Sequence, residues 1–316
     1  MEALSRRKDG RDPPSEQGET DVSTLLVMLS RHSAFYSPLL VAIAGGFLKA
    51  EGFDPVYAGV PQGKTVVQLL AEGEIDVAQS AVSSSWRWLE QGQEPPTLHF
   101  AQINERDGFL IAGRRPDPEF SWDKLLSGQF MFVHGGQPQA MLDYAMHKRG
   151  VGLAQAKAVN AGATEAMMAA WRKGIGDYFH EQGPYPQQLE SEQRAHIVAS
   201  VGEIIGPIAF SSLTATRTWL RRPEARRFMQ AYRLAREWAN KTAPDEVAQI
   251  QEDFFPGVAR SALTRTIAYY QKLGCWNPPV TISRGAYEAA LDLFLHARLI
   301  TERHPYEKVV VSPPDA

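Results

Sequence analysis

Histidines stand at three places where predicted strands end, and their side chains are the ones best suited to chemistry. His32, His134 and His180 each follow an apolar run that predicts a strand, and Glu181 adds a carboxylate beside His180. Three imidazoles brought together can bind zinc, and a single one can act as a general base. No pair of them has the HxxxH spacing of a metal-binding helix, so the sequence favours separate loop histidines that never meet. A histidine-based site stays open as the alternative.

Hydroxyl, amide and aromatic side chains lie at or near the same predicted strand ends. They suit a small organic ligand, because rings cover its apolar faces while hydroxyls and amides fix its orientation. The residues expected to contact a ligand are His32, Phe35, Tyr36, Ser80, Ser83, Ser84, Gln102, Gly136, Gln137 and Tyr185. Arg31 and Arg106 lie close by, but no charged residue in these segments defines the charge of the ligand. Sulfonate-, pyrimidine- and aromatic-like molecules are all compatible with this set.

A glycine-bearing loop precedes one predicted helix. His134, Gly135, Gly136 and Gln137 lead into Pro138, which suits a first helical turn. Free backbone N–H groups and the helix dipole favour an anion at such a position. An ordinary glycine turn between a strand and a helix has the same pattern, and both interpretations stay open. A P-loop is excluded, because no Gly-Lys-Ser/Thr sequence follows the glycines.

Short alternating elements place these side chains along one edge of a predicted sheet. Apolar runs predict strands at residues 24–29, 53–57 and 75–78, with helices at 38–51 and 65–72 between them. Connections this short favour parallel strands and right-handed crossovers. Ligands of open α/β sheets bind beyond the carboxyl ends of the strands, so the loops after the first and third strands are the expected binding edge.

The alternation of strands and helices continues further along the chain and then gives way to helices. The later strands are predicted at 97–103, 108–112, 129–133, 157–159, 175–179 and 196–200. Amphipathic spacing predicts four helices in the C-terminal third, at 223–240, 244–253, 258–273 and 283–299. The later strands are expected to form a second α/β lobe, and the C-terminal helices to pack on the first.

Four segments carry a resemblance to a known family. They are 38–42 (PLLVA), 46–48 (GFL), 51–53 (EGF) and 70–78 (LAEGEIDVA). This run resembles the SsuA/THI5 (NMT1-like) family of ABC-transporter-type substrate-binding proteins. The resemblance implies a type II periplasmic-binding-protein fold, with two α/β lobes, a hinge, and a small-molecule ligand between the lobes. It is specific for the family and says nothing about which ligand is bound.

The resemblance also sets the expected domain boundaries. Residues 1–22 are interpreted as a disordered tail, because they are charged and contain prolines and glycines. The first lobe is expected to comprise residues 23–107 and 205–316, and the second lobe residues 108–204. The hinge is then expected at the two crossings between the lobes, near 105–108 and 200–206.

Some relatives on this fold are enzymes, and the resemblance speaks against their activities here. The fungal thiamin-pyrimidine synthases have a pyridoxal-phosphate lysine and a substrate histidine at positions that correspond to Ser80 and Ser84. The sulfinate desulfinases use a cysteine in the first loop, whereas the single cysteine of this chain is Cys275. Neither activity is expected, and no cofactor is expected.

Composition removes other classes of function. A net charge of −3 and a pI near 6.3 give no basic surface for nucleic acid or an anionic membrane. No segment approaches the ~18 apolar residues of a membrane span, so membrane insertion is not expected. Residues 1–22 contain no apolar run of a signal peptide. As written, the sequence predicts a cytoplasmic protein, with a periplasmic location as the alternative if the true start lies upstream.

These expectations combine into a solute-binding protein that captures a small organic molecule between two lobes. An ABC-transporter permease is the further partner that the resemblance implies. A cytoplasmic enzyme remains an alternative, with His32, His134 or His180 as acid–base group or metal ligand. A cytoplasmic ligand sensor is a third possibility.

Overall fold

The computed structural model describes residues 22–315, so the predicted tail lies almost entirely outside the described residues. The strands are β1 (Ser23–Leu29), β2 (Phe53–Gly59), β3 (Val77–Ser80), β4 (Thr97–Asn104), β5 (Phe109–Gly113), β6 (Gln129–Met131), β7 (Lys157–Val159), β8 (Tyr178–Gln182), β9 (His196–Ser200) and β10 (Ser211–Thr216). The helices up to β10 are α1 (Ser37–Ala44), α2 (Phe47–Ala50), α3 (Val66–Ala71), α4 (Ser83–Leu89), α5 (Gly136–Lys148), α6 (Thr164–Arg172), α7 (Tyr185–Ser191) and α8 (Val201–Ile205). The helices after it are α9 (Arg217–Leu220), α10 (Pro223–Lys241), α11 (Pro244–Gln251), α12 (Arg260–Leu273), α13 (Arg284–His296) and α14 (Tyr306–Val309).

These strands form two five-stranded sheets. The first has the order β2-β1-β3-β10-β4, with β1 parallel to both neighbours and β10 antiparallel to both of its own. The second has the order β7-β6-β8-β5-β9, with β6 parallel and β5 antiparallel to their neighbours. The chain therefore passes between the sheets twice, after β4 and after β9. The lobe boundaries expected from the sequence stay a prediction.

Two elements differ from the sequence-based expectations for reasons of backbone geometry. The helix expected at 38–51 is divided into α1 and α2, because Gly46 adopts a φ of +79° between them. The strand expected at 175–179 begins later, since Gly176 has a φ of +82° before it. As a result, His180 and Glu181 lie inside the buried strand β8 and not in the loop after it.

Among the C-terminal helices, α10 packs on the side of the first sheet, as expected, whereas α12 and α13 also contact α7 and α5 of the second sheet. Helix α10 lies against α1, and its Tyr232 hydroxyl donates to the Gln102 carbonyl at 2.9 Å. Arg236 Nη1 donates to the same carbonyl at 2.8 Å, which ties α10 to the end of β4. Within residues 22–315, no helix is both long and apolar enough to cross a membrane.

The first passage between the sheets is closely packed. A Cβ on Gly108 would lie 2.4 Å from the Phe35 ring, and one on Gly202 would lie 2.1 Å from the Asp107 carbonyl oxygen. Asp107 is fully buried, and its Oδ1 accepts a hydrogen bond from Phe109 N at 2.6 Å. Burial raises the pKa of Asp107 to about 8. A glycine and a buried carboxyl group are therefore closely packed at this crossing.

Candidate functional site

A cavity of about 800 Å³ lies between the two sheets. The first sheet contributes Arg31 from the loop after β1, Ser80 from the end of β3 and Ser83 from the start of α4. The second sheet contributes Phe109 of β5 and Gln182 of β8. Its volume falls within the range of small-molecule sites in proteins.

Several residues predicted as ligand contacts line this cavity, although they are far apart in sequence. They are Tyr36, Ser80, Ser83, Ser84, Gly136 and Gln137. Ser83 Oγ donates to Gln137 Oε1 at 3.0 Å, and Gln137 Nε2 donates to the Phe210 carbonyl at 2.8 Å. These bonds join the walls of the cavity across the two sheets. Contact of these residues with a ligand stays a prediction.

Two further predicted residues, His32 and Phe35, have structural contacts instead. His32 Nδ1 lies 2.6 Å from the Tyr57 hydroxyl, and its Nε2 lies 2.7 Å from the Phe254 carbonyl. Because a carbonyl can only accept, Nε2 carries the proton and Nδ1 accepts from the tyrosine. Phe35 is fully buried, with its ring centroid 5.0 Å from that of Tyr270. Neither residue is among those that line the cavity.

Gln102 and Tyr185 also lie off the cavity wall. Gln102 is buried within β4, and neither atom of its amide makes a hydrogen bond within the described residues. Tyr185 begins α7 and packs beside the cluster around Trp171 and Phe179. Both residues were predicted as ligand contacts because they lie near predicted strand ends. The direction of their side chains, however, depends on tertiary packing.

The three histidines at predicted strand ends, His32, His134 and His180, have different neighbours in the structure. His180 is fully buried and stacks on Phe109 with ring centroids 4.3 Å apart, whereas His134 stacks on Phe132 at 4.1 Å. Burial holds the pKa of His180 well below 6.5, so its ring is neutral. Within residues 22–315, no three histidine, cysteine or acidic side chains group in a way that could hold a metal ion.

Arg31 and Glu181, which were not in the predicted set, form an ion pair across the two sheets. Arg31 lines the cavity, and Glu181 lies 1% exposed behind it. Thr164 Oγ1 accepts a hydrogen bond from Arg31 Nη2 at 3.0 Å and donates one to Glu181 Oε2 at 2.9 Å. The cation is thus balanced before any ligand enters.

Gln182 is a third residue at the cavity that was not in the predicted set. It lines the cavity with only 1% of its surface exposed. It adjoins Tyr36, whose pKa burial raises to about 12, so that the phenol stays protonated. The strand was predicted at 175–179, but β8 begins at Tyr178 and ends at Gln182. A strand shifted by three residues would have put Gln182 at its carboxyl end.

The start of α5 forms part of the cavity wall, but one of its N–H groups is already used. Gly135 has a φ of +81°, and its N–H donates to Oε1 of Gln139 from the same helix at 2.7 Å. Gly136 and Gln137 follow it and line the cavity. The loop before α5 is therefore a glycine turn that also lines the cavity.

Comparisons with known proteins agree with this architecture. A curated relative from Bacillus subtilis (strain 168), named "Putative binding protein YtlA", is 27% identical over 285 residues, which is 88% of this chain and 85% of the relative. A ligand-binding component of an ABC-type import system from Staphylococcus aureus, solved with zinc bound, superposes with a TM-score of 0.73 at 14% identity, covering 92% of this chain and 97% of that one. The periplasmic aliphatic sulphonate-binding protein SsuA from Escherichia coli gives a TM-score of 0.66 at 16% identity, covering 93% of this chain and 94% of that one.

These structural matches confirm the predicted fold class, a type II periplasmic-binding-protein fold. A sequence profile described as "NMT1/THI5 like" matches residues 34–246, which is well over half of the chain. The predicted family is therefore confirmed. The chain belongs to the NMT1/THI5-like family.

Proposed function

We propose that this protein binds a small organic molecule reversibly in the cavity between its sheets and releases it unchanged. The observation that carries the proposal is the cavity itself, whose walls bring hydroxyl and amide groups of both sheets together. The hydrogen bond from Ser83 to Gln137 spans the two walls at 3.0 Å. A ligand that contacts both walls favours the closed arrangement and shifts an open–closed equilibrium.

Binding is a better account of the site than chemistry by His32 or Cys275. Both ring nitrogens of His32 are engaged by structural partners, Tyr57 and Phe254. Cys275 is fully buried, and burial raises the pKa of its thiol, which keeps the thiolate unavailable. These groups lack the access that a catalytic base or nucleophile needs.

The names of related proteins support a role in uptake. The Bacillus subtilis relative is named a binding protein, and the Staphylococcus aureus structure is described as a component of an ABC-type import system. The Escherichia coli protein of the same fold is described as periplasmic and as binding aliphatic sulphonates. We therefore favour delivery to an ABC-transporter permease and the periplasmic alternative over the cytoplasmic one.

Native mass spectrometry of the full-length protein tests this proposal. We expect an organic compound bound in a 1:1 complex, which is recovered unchanged and raises the melting temperature when added back to stripped protein. Ser83→Ala should weaken its binding about tenfold, whereas Ser127→Ala, at an exposed turn off the cavity, should leave binding unchanged. A compound that returns chemically altered, or one that fails to stabilise the stripped protein, would overturn the proposal.

A further inference from the structure

Helix α12 lies against the second sheet, although it belongs to the C-terminal helices. It packs on α11, which in turn lies beside α1 on the side of the first sheet, and it also contacts α7 of the second. The side chains that approach the second sheet or the passage that leaves it are Arg265, Thr266, Tyr269, Tyr270 and Leu273. Their spacing places them on one face of the helix. Helix α12 therefore connects the two sheets along most of its length.

Hydrogen bonds fasten this face of α12 to the second sheet. The Tyr270 hydroxyl accepts from the Gly183 N–H at 2.8 Å, just after β8, and donates to the Gly108 carbonyl at 3.1 Å, just before β5. Arg265 Nη2 donates to the Gln187 carbonyl of α7 at 2.8 Å. Tyr270 is fully buried. Separation of α12 from the second sheet would therefore break these bonds and expose an aromatic ring to water.

Glycines let the helix approach this closely. A Cβ on Gly183 would lie 2.4 Å from the Thr266 methyl group, and one on Gly202 would lie 3.2 Å from Leu273 Cδ2. Gly202 belongs to the second passage between the sheets, and the same Cβ would lie 2.1 Å from the Asp107 carbonyl oxygen in the first passage. Helix α12 and both passages thus form one closely packed region.

A second contact between the C-terminal helices and the second sheet is looser. It joins α13 to α5, where the exposed rings of His147 and His296 lie 4.4 Å apart. His296 Nε2 lies 4.0 Å from Asp143 Oδ2, which is too long for a hydrogen bond. Contacts between exposed charged side chains are weak, because water and salt screen them. The Ser83–Gln137 bond lies on the same side, since Gln137 is in the first turn of α5.

We propose that α12 is the pivot on which the cavity opens: the second sheet stays fixed to α12, while α5 separates from α4 and α13. Hinged closure needs a few positions that hold while neighbouring surfaces part, and the two contacts differ in this way. The Arg31–Glu181 ion pair persists in both states, because Glu181 lies two residues before the fixed Gly183. A small molecule then enters between α4 and α5. The inference does not depend on which molecule is bound.

Double electron–electron resonance on the full-length protein, freed of bound small molecules, tests the inference. Nitroxide labels at Arg149→Cys and Glu302→Cys form the α5–α13 pair, and labels at Arg194→Cys and Lys272→Cys form the α7–α12 pair. All four positions are exposed, whereas Cys275 is fully buried and stays unlabelled. We expect the α5–α13 pair to show a second population, about 5 Å or more beyond the closed distance, and the α7–α12 pair to show one narrow population.

Variants connect the pivot to two side chains. Tyr270→Phe/Arg265→Met removes the bonds to the second sheet, so it should give the α7–α12 pair a second population about 5 Å longer. Tyr287→Phe/Arg227→Met is the matched control, since this hydroxyl and this guanidinium make bonds of the same kind, but only to residues on the side of the first sheet. The control should keep the single population. If the first double variant does not fold, Tyr270→Phe alone replaces it.

Several outcomes would overturn the inference. One is a second population in the α7–α12 pair when α12 carries its natural residues at 265 and 270, and another is a single narrow population in both pairs. A Tyr270→Phe/Arg265→Met variant that leaves the α7–α12 pair unchanged, or a control variant that broadens it equally, would have the same consequence. None of these outcomes bears on the proposed function, which depends on recovery of an unchanged ligand.

Discussion

The guanidinium of Arg31, in the loop after β1, is paired with the carboxylate of Glu181 in β8, and this ion pair joins the two sheets at the cavity. Thr164 bonds to both partners, at 3.0 Å to Arg31 and at 2.9 Å to Glu181. The carboxylate is almost completely removed from water, whereas the guanidinium keeps 24% of its side-chain surface exposed. Each partner therefore compensates the burial cost of the other.

Removal of one partner alone should be costly. Arg31→Met leaves the buried Glu181 carboxylate without its cation, and we expect the free energy of unfolding to fall by about 3 kcal/mol. In the double variant Arg31→Met/Glu181→Gln no charge is left unpaired, so the loss should be smaller than in the single variant. Urea unfolding of Arg31→Met, Glu181→Gln and the double variant measures the coupling free energy between the two side chains. Additive losses would show that the two side chains do not act as a pair.

Substitution of Tyr36 should affect ligand binding, whereas substitution of its neighbour Phe35 should affect stability. Tyr36→Phe removes only a hydroxyl at the cavity wall, so the affinity for the re-added compound should fall about tenfold with little change in melting temperature. Phe35→Ala removes a fully buried ring and should lower the free energy of unfolding by about 3–5 kcal/mol. Titration calorimetry and urea unfolding measure the two effects. Strong destabilisation by Tyr36→Phe would count against its place at the cavity wall.

Asp107 should make stability fall as the pH rises. Burial raises its folded-state pKa from 3.8 to about 8, so the folded state holds a proton that the unfolded state loses between these values. Its stabilising contribution is thus complete below pH 3.8 and is lost towards pH 8, at roughly 1 kcal/mol per pH unit between pH 5 and pH 7. Asp107→Asn keeps the acceptor for Phe109 N and removes the titration.

The difference between wild type and Asp107→Asn isolates this group, because other titrating side chains contribute to both proteins. Burial lowers the pKa of His180, for example, and this effect has the opposite sign: stability is lost as the pH falls below 6.5. Urea unfolding at pH 5, 6, 7 and 8 provides the profiles. Parallel profiles for the two proteins would contradict a protonated Asp107.

His32 should act as a structural residue. His32→Ala leaves the Tyr57 hydroxyl and the Phe254 carbonyl without their partner, and we expect a loss of about 1–3 kcal/mol in the free energy of unfolding. His134→Ala is the control, since His134 is exposed and its ring stacks on Phe132 without a hydrogen bond in the described residues. Equal effects of the two substitutions on the urea midpoint would argue against this role.

Helices and strands with clear sequence patterns were predictable. Cavity residues whose position depends only on where such an element begins or ends were predictable too. Ser83 and Ser84 begin a helix after a short apolar strand, and Gly136 and Gln137 follow a glycine turn. Their place on the cavity wall follows from the rule that ligands bind at the carboxyl ends of strands. Side-chain direction in irregular loops was not predictable, since Phe35 points into the core and its neighbour Tyr36 reaches the cavity.

Strand register was the main source of missed residues. Ile175, Gly176 and Asp177 were predicted to begin a strand, but the positive φ of Gly176 delays the first pairing to Tyr178. The shift changes His180 from a loop histidine to a buried strand residue and moves Gln182 to the cavity. The pairing of Arg31 with Glu181 joins residues 150 positions apart, and no local pattern encodes it.

A crystal structure of the complex with the co-purified compound tests the central claim most directly. We predict one intact molecule in the cavity between the sheets, within hydrogen-bond distance of Ser83, Gln137 or Gln182, with the Arg31–Glu181 ion pair in place. A molecule bound outside this cavity, or a cavity that holds a chemically altered product, would contradict the account.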